Sequence, residues 1–362
     1  MQLDVQTRNH SYPILITNEN ICSFVDEYVQ RFRPQKIVLG CNDTIFRLYG
    51  HDLSLALKES GISVIPLLIP EGEDAKSLAC YQQLINELEE HDLTRSTHFI
   101  ALGGGVTGDV VGFLAATYLR GVPFIQIPTS LLAMVDSSIG GKVGINAKNG
   151  KNRLGAFYPP IFVYITTQVL QTLTHEQWLC GLGEILKHGL LGDKTLFEMC
   201  KDNAHCWPNI PAQTLQEIVY RNCVFKRKIV EADELEEGSR SLLNFGHTVG
   251  HAIEAALSHR VPHGICVAWG LQCELFWSYK KGLLSRTVYE HICSVFSAFS
   301  FPSLPTSLHI ERLLVLMQKD KKCKSNGTIL CTLLHNIEEP ELYAMSVQEI
   351  STLFQFPQEI SA

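Results

Sequence analysis

The sequence predicts a chain of two domains, an open α/β sheet in residues 1–173 followed by a mainly α-helical domain in residues 174–362. From Gln35 to about residue 127, short apolar runs alternate with amphipathic segments, as in parallel sheets whose strands are joined by helices. After the run Ile161–Ile165 this alternation stops and helical periodicity takes over. A chain of 362 residues also exceeds the usual size of one hydrophobic core. The boundary is therefore placed near residue 173.

The first domain opens with an apolar run from Tyr12 to Ile16 and a helical pattern that includes Phe24 and Tyr28. The strands predicted after it are Ile37–Leu39, Val64–Ile69, His98–Leu102 and Phe124–Ile127, and the helices lie near Thr44–Glu59, near Ala75–Glu90 and from about Val106. In open sheets of this kind, ligands bind outside the carboxyl ends of the strands. The loops that leave those ends are the first places to look for function.

Composition bounds the function and the compartment. A hydrophobic content of 46%, a charged content of 19% and a net charge of −7 describe a globular protein and argue against nucleic acid or an anionic membrane surface as a partner. The twelve cysteines form no C-x-x-C pair, so we expect reduced thiols and a cytoplasmic location, without a signal peptide. Five glycines and Asp109 between Phe99 and Leu119 favour a buried strand, turn and helix over a membrane span.

Two loops directly follow predicted strands. The first is Pro70–Lys76, and the second is Gly103–Asp109, which satisfies G-x-G-x-x-G between a strand and a helix. Glycines let a pyrophosphate approach the backbone, and a helix N-terminus offers free N–H groups to it. The next strand does not end in an acid, however, and Asp109 places a negative charge where a phosphate would bind. A dinucleotide site and a tight structural turn both remain compatible with this segment.

A third loop is predicted over Val135–Gly155, where five glycines accompany four basic residues and one acid, Asp136. Glycine next to basic side chains suits an anion cradle, and a solvated flexible loop has the same composition. The basic residues are Lys142, Lys148, Lys151 and Arg153.

The second domain is predicted to have helices near 174–190, 212–232, 240–258, 263–281 and 286–299, and a strand near Thr328–Leu333. His247 and His251 lie four residues apart, so both imidazoles project from one face of a helix, either as two metal ligands or as a satisfied polar face. Glu184 lies on an otherwise apolar helix, where a carboxylate is costly to bury without a partner. It is the candidate third ligand, and His263 competes with it.

Six motifs, taken in order along nearly the whole chain, resemble the 3-dehydroquinate synthase family. They are G-G-G-V-T-G-D-V-V-G-F at 103–113, the run from R-G-V-P-F to I-G-G-K at 120–142, G-K-N-R-L-G-A-F-Y-P-P at 150–160, G-L-G-E-I-L-K-H-G at 181–189, the run from D-E-L-E-E-G-S-R to G-H-A-I-E at 233–254, and D-K-K at 320–322. The glycine motif alone is weakly specific, whereas the ordered set is highly specific.

The resemblance implies an α/β N-terminal dinucleotide-binding domain plus a mainly α-helical C-terminal metal-binding domain, a dehydroquinate synthase-like fold with the active site in the cleft between them. It implies NAD and a divalent cation, zinc or cobalt, as cofactors, and a homodimer, which is the common assembly of the family. The substrate, a small phosphorylated sugar acid, would be 3-deoxy-D-arabino-heptulosonate 7-phosphate, converted to 3-dehydroquinate and phosphate in the shikimate pathway.

By motif match, the resemblance assigns residues to three roles. The metal ligands would be Glu184, His247 and His263. His251 would then be a catalytic or substrate contact rather than a metal ligand. The substrate and catalytic positions would be Lys142, Asn152, Lys187, Lys226, Arg240, Asn244 and His251, with Asp136 nearby and Arg120 reaching the site from a partner subunit. The NAD positions would be Glu73, Lys76, Gly104, Gly105, Val106, Asp109, Thr129, Ser130 and Thr172, with Lys142 and Lys151 fitting both sets.

Three departures from the family pattern bear on these assignments. G-C-N-D follows the strand Ile37–Leu39, so the adenosine-ribose contact falls on Asn42. After D-K-K the chain lacks the basic residue that the family often has beyond the following glycine, and either Lys321 or Lys322 would face the substrate. H-G-I stands where H-G-E is common, which changes the surroundings of His263. The competing functions are another sugar phosphate cyclase, a metal-dependent polyol dehydrogenase, and a catalytically silent NAD- or metal-binding protein.

Overall fold

A computed structural model describes residues 1–354 of the chain, apart from 9, 149, 237, 306–307 and 320–327; the side chains of residues 239, 240 and 319 are also outside the description. The chain forms two compact units, Met1–Leu173 and Thr174–Ala362. Lys321 and Lys322, the two alternatives for a substrate-facing lysine, lie outside the described residues.

The first unit is built on a seven-stranded sheet. Its strands are β1 (Gln2–Gln6), β2 (Ser11–Thr17), β3 (Lys36–Cys41), β4 (Ser63–Leu68), β5 (His98–Gly103), β6 (Phe124–Pro128) and β9 (Phe162–Thr166). Their order is β1-β2-β9-β6-β5-β3-β4, with only β1 antiparallel to its neighbour. Strands β5, β6 and β9 are buried at every residue, because helices cover both faces of a parallel sheet.

Helices connect these strands and fix where a ligand would bind. They are α1 (Phe24–Phe32), α2 (Asp43–Ile45), α3 (His51–Glu59), α4 (Leu78–Leu88) and α5 (Gly105–Thr117). The chain runs outward from β3 to β4, then returns to the other side of β3 as β5 and continues to β6. The strand order therefore reverses between β3 and β5. Crevices at such reversals, beyond the carboxyl ends of the strands, are the usual ligand sites of open α/β sheets.

The segment predicted as a glycine-rich loop is instead an antiparallel hairpin of β7 (Lys142–Ala147) and β8 (Gly150–Phe157). Its two strands approach closely at Gly144 and Gly155, since a Cβ on Gly144 would lie 2.5 Å from the Leu154 carbonyl oxygen. The glycines thus permit close strand pairing rather than a flexible loop, which corrects the prediction for this segment.

The second unit is mainly helical. Its helices are α6 (His175–Gly192), α7 (Lys194–Asp202), α8 (Ala212–Ala232), α9 (His247–Ala256), α10 (His263–Lys280), α11 (Arg286–Ser297), α12 (Ile310–Lys319) and α13 (Val347–Leu353). A hairpin of β10 (Thr328–Asn336) and β11 (Glu339–Ser346) completes it. Sequence analysis missed α7, α12, α13 and β11. It was also wrong to extend one helix over 240–258, because a short 3-10 turn, Ser239–Asn244, precedes α9.

Two general findings accompany this fold. No helix among the described residues is long and apolar enough to cross a membrane. The eleven cysteines within the described ranges are all free, and most of them are buried.

Candidate metal centre and nucleotide-binding turn

Three helices of the second unit bring Glu184, His247 and His263 together. Glu184 lies within α6 and is 1% exposed, whereas the two histidines are the first residues of α9 and α10. The Oε1 atom of Glu184 is 3.4 Å from Nε2 of His247 and 3.4 Å from Nε2 of His263. One carboxylate oxygen and two imidazole nitrogens therefore face each other, although they come from distant parts of the chain.

Glycines allow the three helices to approach this closely. A Cβ on Gly183, beside Glu184, would lie 2.1 Å from the carbonyl oxygen of Gly264, beside His263. A Cβ on Gly270 of α10 would lie 1.9 Å from the carbonyl oxygen of Gly246, which precedes His247. These separations are well below van der Waals contact, so only glycine fits at either crossing. The spacing of the three functional side chains is set by backbone contact.

The hydrogen bonds of the two imidazoles determine which nitrogen faces the cluster. Nδ1 of His247 lies 3.1 Å from the carbonyl oxygen of Phe245, and Nδ1 of His263 lies 3.1 Å from Oε2 of Glu254. Both partners are acceptors, so each Nδ1 carries the proton, and in a neutral ring Nε2 then presents a lone pair. With both rings neutral, two lone pairs and a carboxylate oxygen would face one another, and a cation among them would stabilise that arrangement.

The geometry of the cluster fits a divalent cation. Neither carboxylate oxygen of Glu184 makes a hydrogen bond to any described group, although both are buried. Lys187 Nζ is 2.5 Å from Oε2, an ion-pair contact within the same helix. Ligands about 2.0–2.1 Å from a tetrahedral zinc ion are separated from one another by about 3.3–3.4 Å. The observed separations of 3.4 Å match that value.

The electrostatics of the cluster favour ligand protonation states for two of its members. Burial would raise the pKa of Glu184, but Lys187 and the two histidines hold that pKa well below its usual range, so the group is anionic. Burial, followed by the charge of Lys187, lowers the pKa of His247 to about 3, so its ring is neutral. For His263 burial is outweighed by Glu184 and Glu254, which raise the pKa to about 9. A cation would compete with that proton.

His251 lies one turn beyond His247 on α9, and its ring centroid is 5.2 Å from that of His247 and 5.6 Å from that of His263. The three imidazoles have ring nitrogens within 4.8 Å of one another and form a second possible donor set. The Glu184 set is favoured because its buried carboxylate has no hydrogen bond of its own. His251 then stands beside the cluster, as the family resemblance implies.

The other predicted residues of this unit differ in what the structure says of them. Lys187 on α6 is 2% exposed and Lys226 on α8 is 5% exposed, which is rare for lysine and typical of functional positions. Asn244 is half-buried at the end of the turn before α9. The backbone of Arg240 belongs to that turn, but its side chain is outside the described part of the chain. Glu254, the partner of His263, was missed by sequence analysis.

In the first unit, the glycine-rich segment forms the turn from β5 into α5. Gly103 ends the strand and α5 begins at Gly105. A Cβ on Gly103 would lie 2.5 Å from Oγ1 of Thr107, and one on Gly108 would lie 2.8 Å from Oε1 of Gln126 on β6. The motif therefore serves a tight turn and close packing of the helix on the sheet, and it leaves the N-terminus of α5 at the strand-order reversal.

Asp109 does not stand as an isolated negative charge beside this turn. Lys76 Nζ lies 2.6 Å from its Oδ2, and the Lys76 side chain is only 5% exposed. Burial raises the pKa of Asp109, and the Lys76 charge opposes that shift. Glu73 accepts a hydrogen bond from Asn146 Nδ2 at 2.9 Å and lies 3.8 Å from Lys151 Nζ. The loop after β4, the helix α5 and the hairpin are thus joined through charged and polar contacts.

The remaining predicted residues of this unit occupy loops and element ends. Oδ1 of Asn42 accepts from Ile45 N–H at 2.8 Å and caps α2, just beyond β3. Thr129 N–H donates to the Gly103 carbonyl oxygen, and Ser130 caps the following turn. Thr172 shares a 2.7 Å hydrogen bond with Tyr49. The others are Val106 in the first turn of α5, Arg120 and Asn152 at positive φ, Asp136 in the turn after β6, and Lys142 at the start of β7.

Solved structures show which fold the chain has. A 2-deoxy-scyllo-inosose synthase, described as complexed with carbaglucose-6-phosphate, NAD⁺ and Co²⁺, matches with a TM-score of 0.89 at 21% identity, over 98% of this chain and 99% of that one. A 2-epi-5-epi-valiolone synthase from Streptomyces hygroscopicus, with NAD⁺ and Zn²⁺ bound, gives 0.86 at 23% identity over 96% and 97%. Glycerol dehydrogenase from Schizosaccharomyces pombe is more distant, at 0.65 and 16%, over 96% and 89%. The fold is that of the sugar phosphate cyclases.

Sequence comparisons identify the family within this class. Residues 66–180 match the family described as 3-dehydroquinate synthase N-terminal, and residues 181–323 match 3-dehydroquinate synthase C-terminal. The 3-dehydroquinate synthase of Thermoanaerobacter pseudethanolicus is 38% identical over 96% of this chain and 98% of its own, and that of Lactococcus lactis is 39% identical over 97% of each. The chain belongs to the 3-dehydroquinate synthase family of enzymes, which confirms the resemblance and the predicted fold.

Proposed function

We propose that this chain converts 3-deoxy-D-arabino-heptulosonate 7-phosphate to 3-dehydroquinate and phosphate, in the shikimate pathway, with NAD and a divalent cation as cofactors. The observation that carries the proposal is the convergence of Glu184, His247 and His263 at 3.4 Å in a chain of this family. Zinc is the inferred cation, with cobalt as the alternative, since two imidazoles and a carboxylate suit a catalytic zinc site. The described ligands of the two solved cyclases, NAD⁺ with Co²⁺ or Zn²⁺, support this choice.

Each cofactor supplies one kind of chemistry. NAD, held by the residues around the turn between β5 and α5, would supply reversible hydride transfer at a secondary alcohol of the substrate, with no net oxidation over one turnover. A divalent cation held by Glu184, His247 and His263 would supply Lewis-acid stabilisation of the developing alkoxide. The intermediate ketone acidifies the neighbouring C–H bond, so that phosphate is eliminated. After the hydride returns, the ring opens and an intramolecular aldol addition closes the carbocycle.

The side chains of the protein position the substrate and move protons. Holding a flexible seven-carbon chain in one geometry lowers the barrier by about 7 kcal/mol or more in favourable intramolecular cases. The cationic and amide groups proposed for this role are Lys142, Asn152, Lys187, Lys226, Arg240, Asn244 and Arg120. Lys187 also neutralises the buried carboxylate of Glu184, from which it is 2.5 Å away. His251, beside the cluster, is the proposed proton carrier, and Asp136 is proposed to orient a neighbouring group.

The proposed NAD site uses the turn between β5 and α5 and the loops beside it. An N-terminus of a helix provides free N–H groups for a pyrophosphate, and the glycines allow the approach. Lys76 balances Asp109, so the turn carries less negative charge than the sequence indicated. The proposed residues are Asn42, Glu73, Lys76, Gly104, Gly105, Val106, Asp109, Thr129, Ser130, Lys142, Lys151 and Thr172.

The proposal extends to domain roles, assembly and location. Residues 1–173 form the NAD-binding domain and 174–362 the metal- and substrate-binding domain. We infer a homodimer, with Arg120 contributing to the site of the partner subunit, and a cytoplasmic location consistent with the free cysteines of the described chain.

Phosphate release by the purified chain tests the function directly. The heptulosonate phosphate should yield phosphate with NAD and zinc, glucose 6-phosphate should yield none, and a chelator should abolish the reaction. Release from glucose 6-phosphate instead would favour an inosose-type cyclase. Net accumulation of NADH would favour a polyol dehydrogenase, because the proposed reaction regenerates NAD in every turnover. A metal-loaded protein without turnover on any heptulosonate would contradict catalysis altogether.

A further inference from the structure

Glu254 lies near the end of α9 and contacts His263, one of the three residues of the metal cluster. It is 7% exposed, and its two carboxylate oxygens contact two different imidazoles. Oε2 lies 3.1 Å from Nδ1 of His263, and Oε1 lies 3.1 Å from Nδ1 of His259. We propose that Glu254 is a positioning residue that fixes the ring orientation and tautomer of His263 and strengthens it as a ligand. This inference rests on the metal site of the proposed function.

The contact with Glu254 determines which nitrogen of the His263 ring is the hydrogen-bond donor. An ionised carboxylate only accepts hydrogen bonds, so Nδ1 of His263 is the donor and Nε2 is the nitrogen available to a cation. That nitrogen is the one 3.4 Å from Oε1 of Glu184. Without an acceptor at Nδ1 the ring could flip or adopt the other tautomer. Carboxylates in this position orient metal-binding histidines and raise their basicity.

The two candidate histidine ligands differ in the hydrogen-bond acceptor that their Nδ1 atoms face. Nδ1 of His247 faces a neutral acceptor, the carbonyl oxygen of Phe245, whereas Nδ1 of His263 faces the charged acceptor Glu254. Charge-assisted hydrogen bonds are roughly twice as strong as neutral ones. His263 is therefore the more strongly held of the two rings, even though it is the more exposed, at 31% against 12% of its side chain.

The turn between α9 and α10 places His259 against the Glu254 carboxylate. Ser258 and His259 both have positive φ angles, 54° and 58°, a conformation that non-glycine residues adopt only when their surroundings require it. This turn brings His259 back over α9, where its N–H donates to the Glu254 carbonyl oxygen at 2.9 Å and its ring meets the carboxylate. Glu254 thus contacts the turn at one oxygen and the first residue of α10 at the other.

The residue two positions beyond His263 supplies no polar group to the site. Ile265 is 0% exposed in the core of the unit, so the position two residues beyond His263 offers no polar contact. The carboxylate that an H-G-E sequence would place there is absent from this chain. The carboxylate that the structure does place against the His263 ring is that of Glu254, on α9.

Zinc affinity measured by competition with a chromophoric chelator tests the inference on the whole chain. Glu254→Ala should bind zinc about 10- to 100-fold more weakly than the unmodified protein. Glu254→Gln, which keeps an accepting oxygen without the charge, should lose several-fold less. Glu198→Gln is the matched control, because Glu198 accepts from an imidazole, Nε2 of His291 at 2.7 Å, that belongs to no candidate metal site. Its zinc affinity should not change.

Two further measurements separate positioning from general stability. Cobalt-loaded Glu254→Ala should show an altered visible absorption spectrum, because the geometry of His263 changes. His259→Ala removes the contact to the other oxygen of Glu254 and should keep zinc affinity and the cobalt spectrum unchanged. An equal loss in His259→Ala would assign the effect to the turn and overturn the proposal.

The failure of the inference differs from the failure of the proposed function. If the unmodified protein binds no zinc or cobalt, the proposed metal site is wrong and the inference falls with it. If the unmodified protein binds zinc and releases phosphate while Glu254→Ala and Glu254→Gln retain the same affinity and cobalt spectrum, only the role of Glu254 is refuted.

Discussion

The substitution Gly183→Ala tests whether backbone contact between α6 and α10 sets the metal geometry. A Cβ at this position would lie 2.1 Å from the carbonyl oxygen of Gly264. A carbon–oxygen contact normally requires about 3.3 Å, so the two helices would have to separate by about 1.2 Å. Because Glu184 and His263 are the neighbours of these two glycines, their atoms would separate by a similar amount.

The expected loss follows from that displacement. Functional constellations must be held within about 0.5 Å of their productive geometry, so a shift of about 1 Å exceeds the tolerance. We expect zinc binding to weaken by at least about tenfold, equivalent to about 1.4 kcal/mol. Overpacking also costs about 1–3 kcal/mol of stability, and the higher helix propensity of alanine offsets about 1 kcal/mol of it.

Zinc affinity and the free energy of unfolding should both be measured, since they distinguish a local effect from a global one. Gly112→Ala is the matched control, because a Cβ there would lie 2.3 Å from Cγ1 of Val143 in the first unit. That variant should lose stability and keep its zinc affinity. If Gly183→Ala bound zinc as tightly as the unmodified protein, the argument from helix separation would be refuted.

Substitutions at three other places test separate parts of the structure. His247→Ala should lose zinc and phosphate release together, since a two-ligand remnant binds poorly, and full zinc occupancy would contradict the ligand assignment. Lys76→Met should destabilise the chain in denaturant by about 2 kcal/mol or more, because it leaves Asp109, whose side chain is only 22% exposed, without its cation, and Asp109→Asn should restore part of the loss. Burial lowers the pKa of His98 from 6.5 to about 4, so the unfolded chain takes up a proton at a higher pH than the folded chain does. The free energy of unfolding should therefore fall by about 2 kcal/mol as the pH drops from 6.5 to 4. His98→Asn should flatten this pH dependence, and an unchanged pH profile in that variant would contradict the role of His98.

The alternation of strands and helices in the first unit could be read from the sequence because burial on both faces makes its strands continuously apolar. β5, for example, is buried at all six residues. The hairpin of β7 and β8 could not be read in the same way. Seven of the eight residues of β8 are exposed, so no apolar alternation marks it. The hairpin as a whole, with its lysines and glycines, has the composition of a loop, and only the backbone pairing reveals the two strands.

The start of α9 shows a different limit of sequence patterns. Leu243 and Val249 follow helical spacing, yet the chain breaks between them at Gly246, whose φ is 74°. The N–H of Gly246 donates to Oε2 of Glu274, a fully buried carboxylate on α10, at 2.9 Å. This contact depends on the packing of two helices, so hydrophobic periodicity contains no sign of it. The break makes His247, a proposed metal ligand, the first residue of its helix.

The choice among metal ligands shows why a site needs coordinates even when its residues are known. Spacing alone pairs His247 with His251, since four residues place two side chains on one helical face. Three imidazoles do come close in the structure. The decisive difference is Glu184, whose buried oxygen faces two Nε2 atoms at 3.4 Å without a hydrogen bond. Lys187 pairs with the other oxygen, Oε2, at 2.5 Å, whereas Oε1 lies between the two imidazoles, where a cation would bind all three side chains.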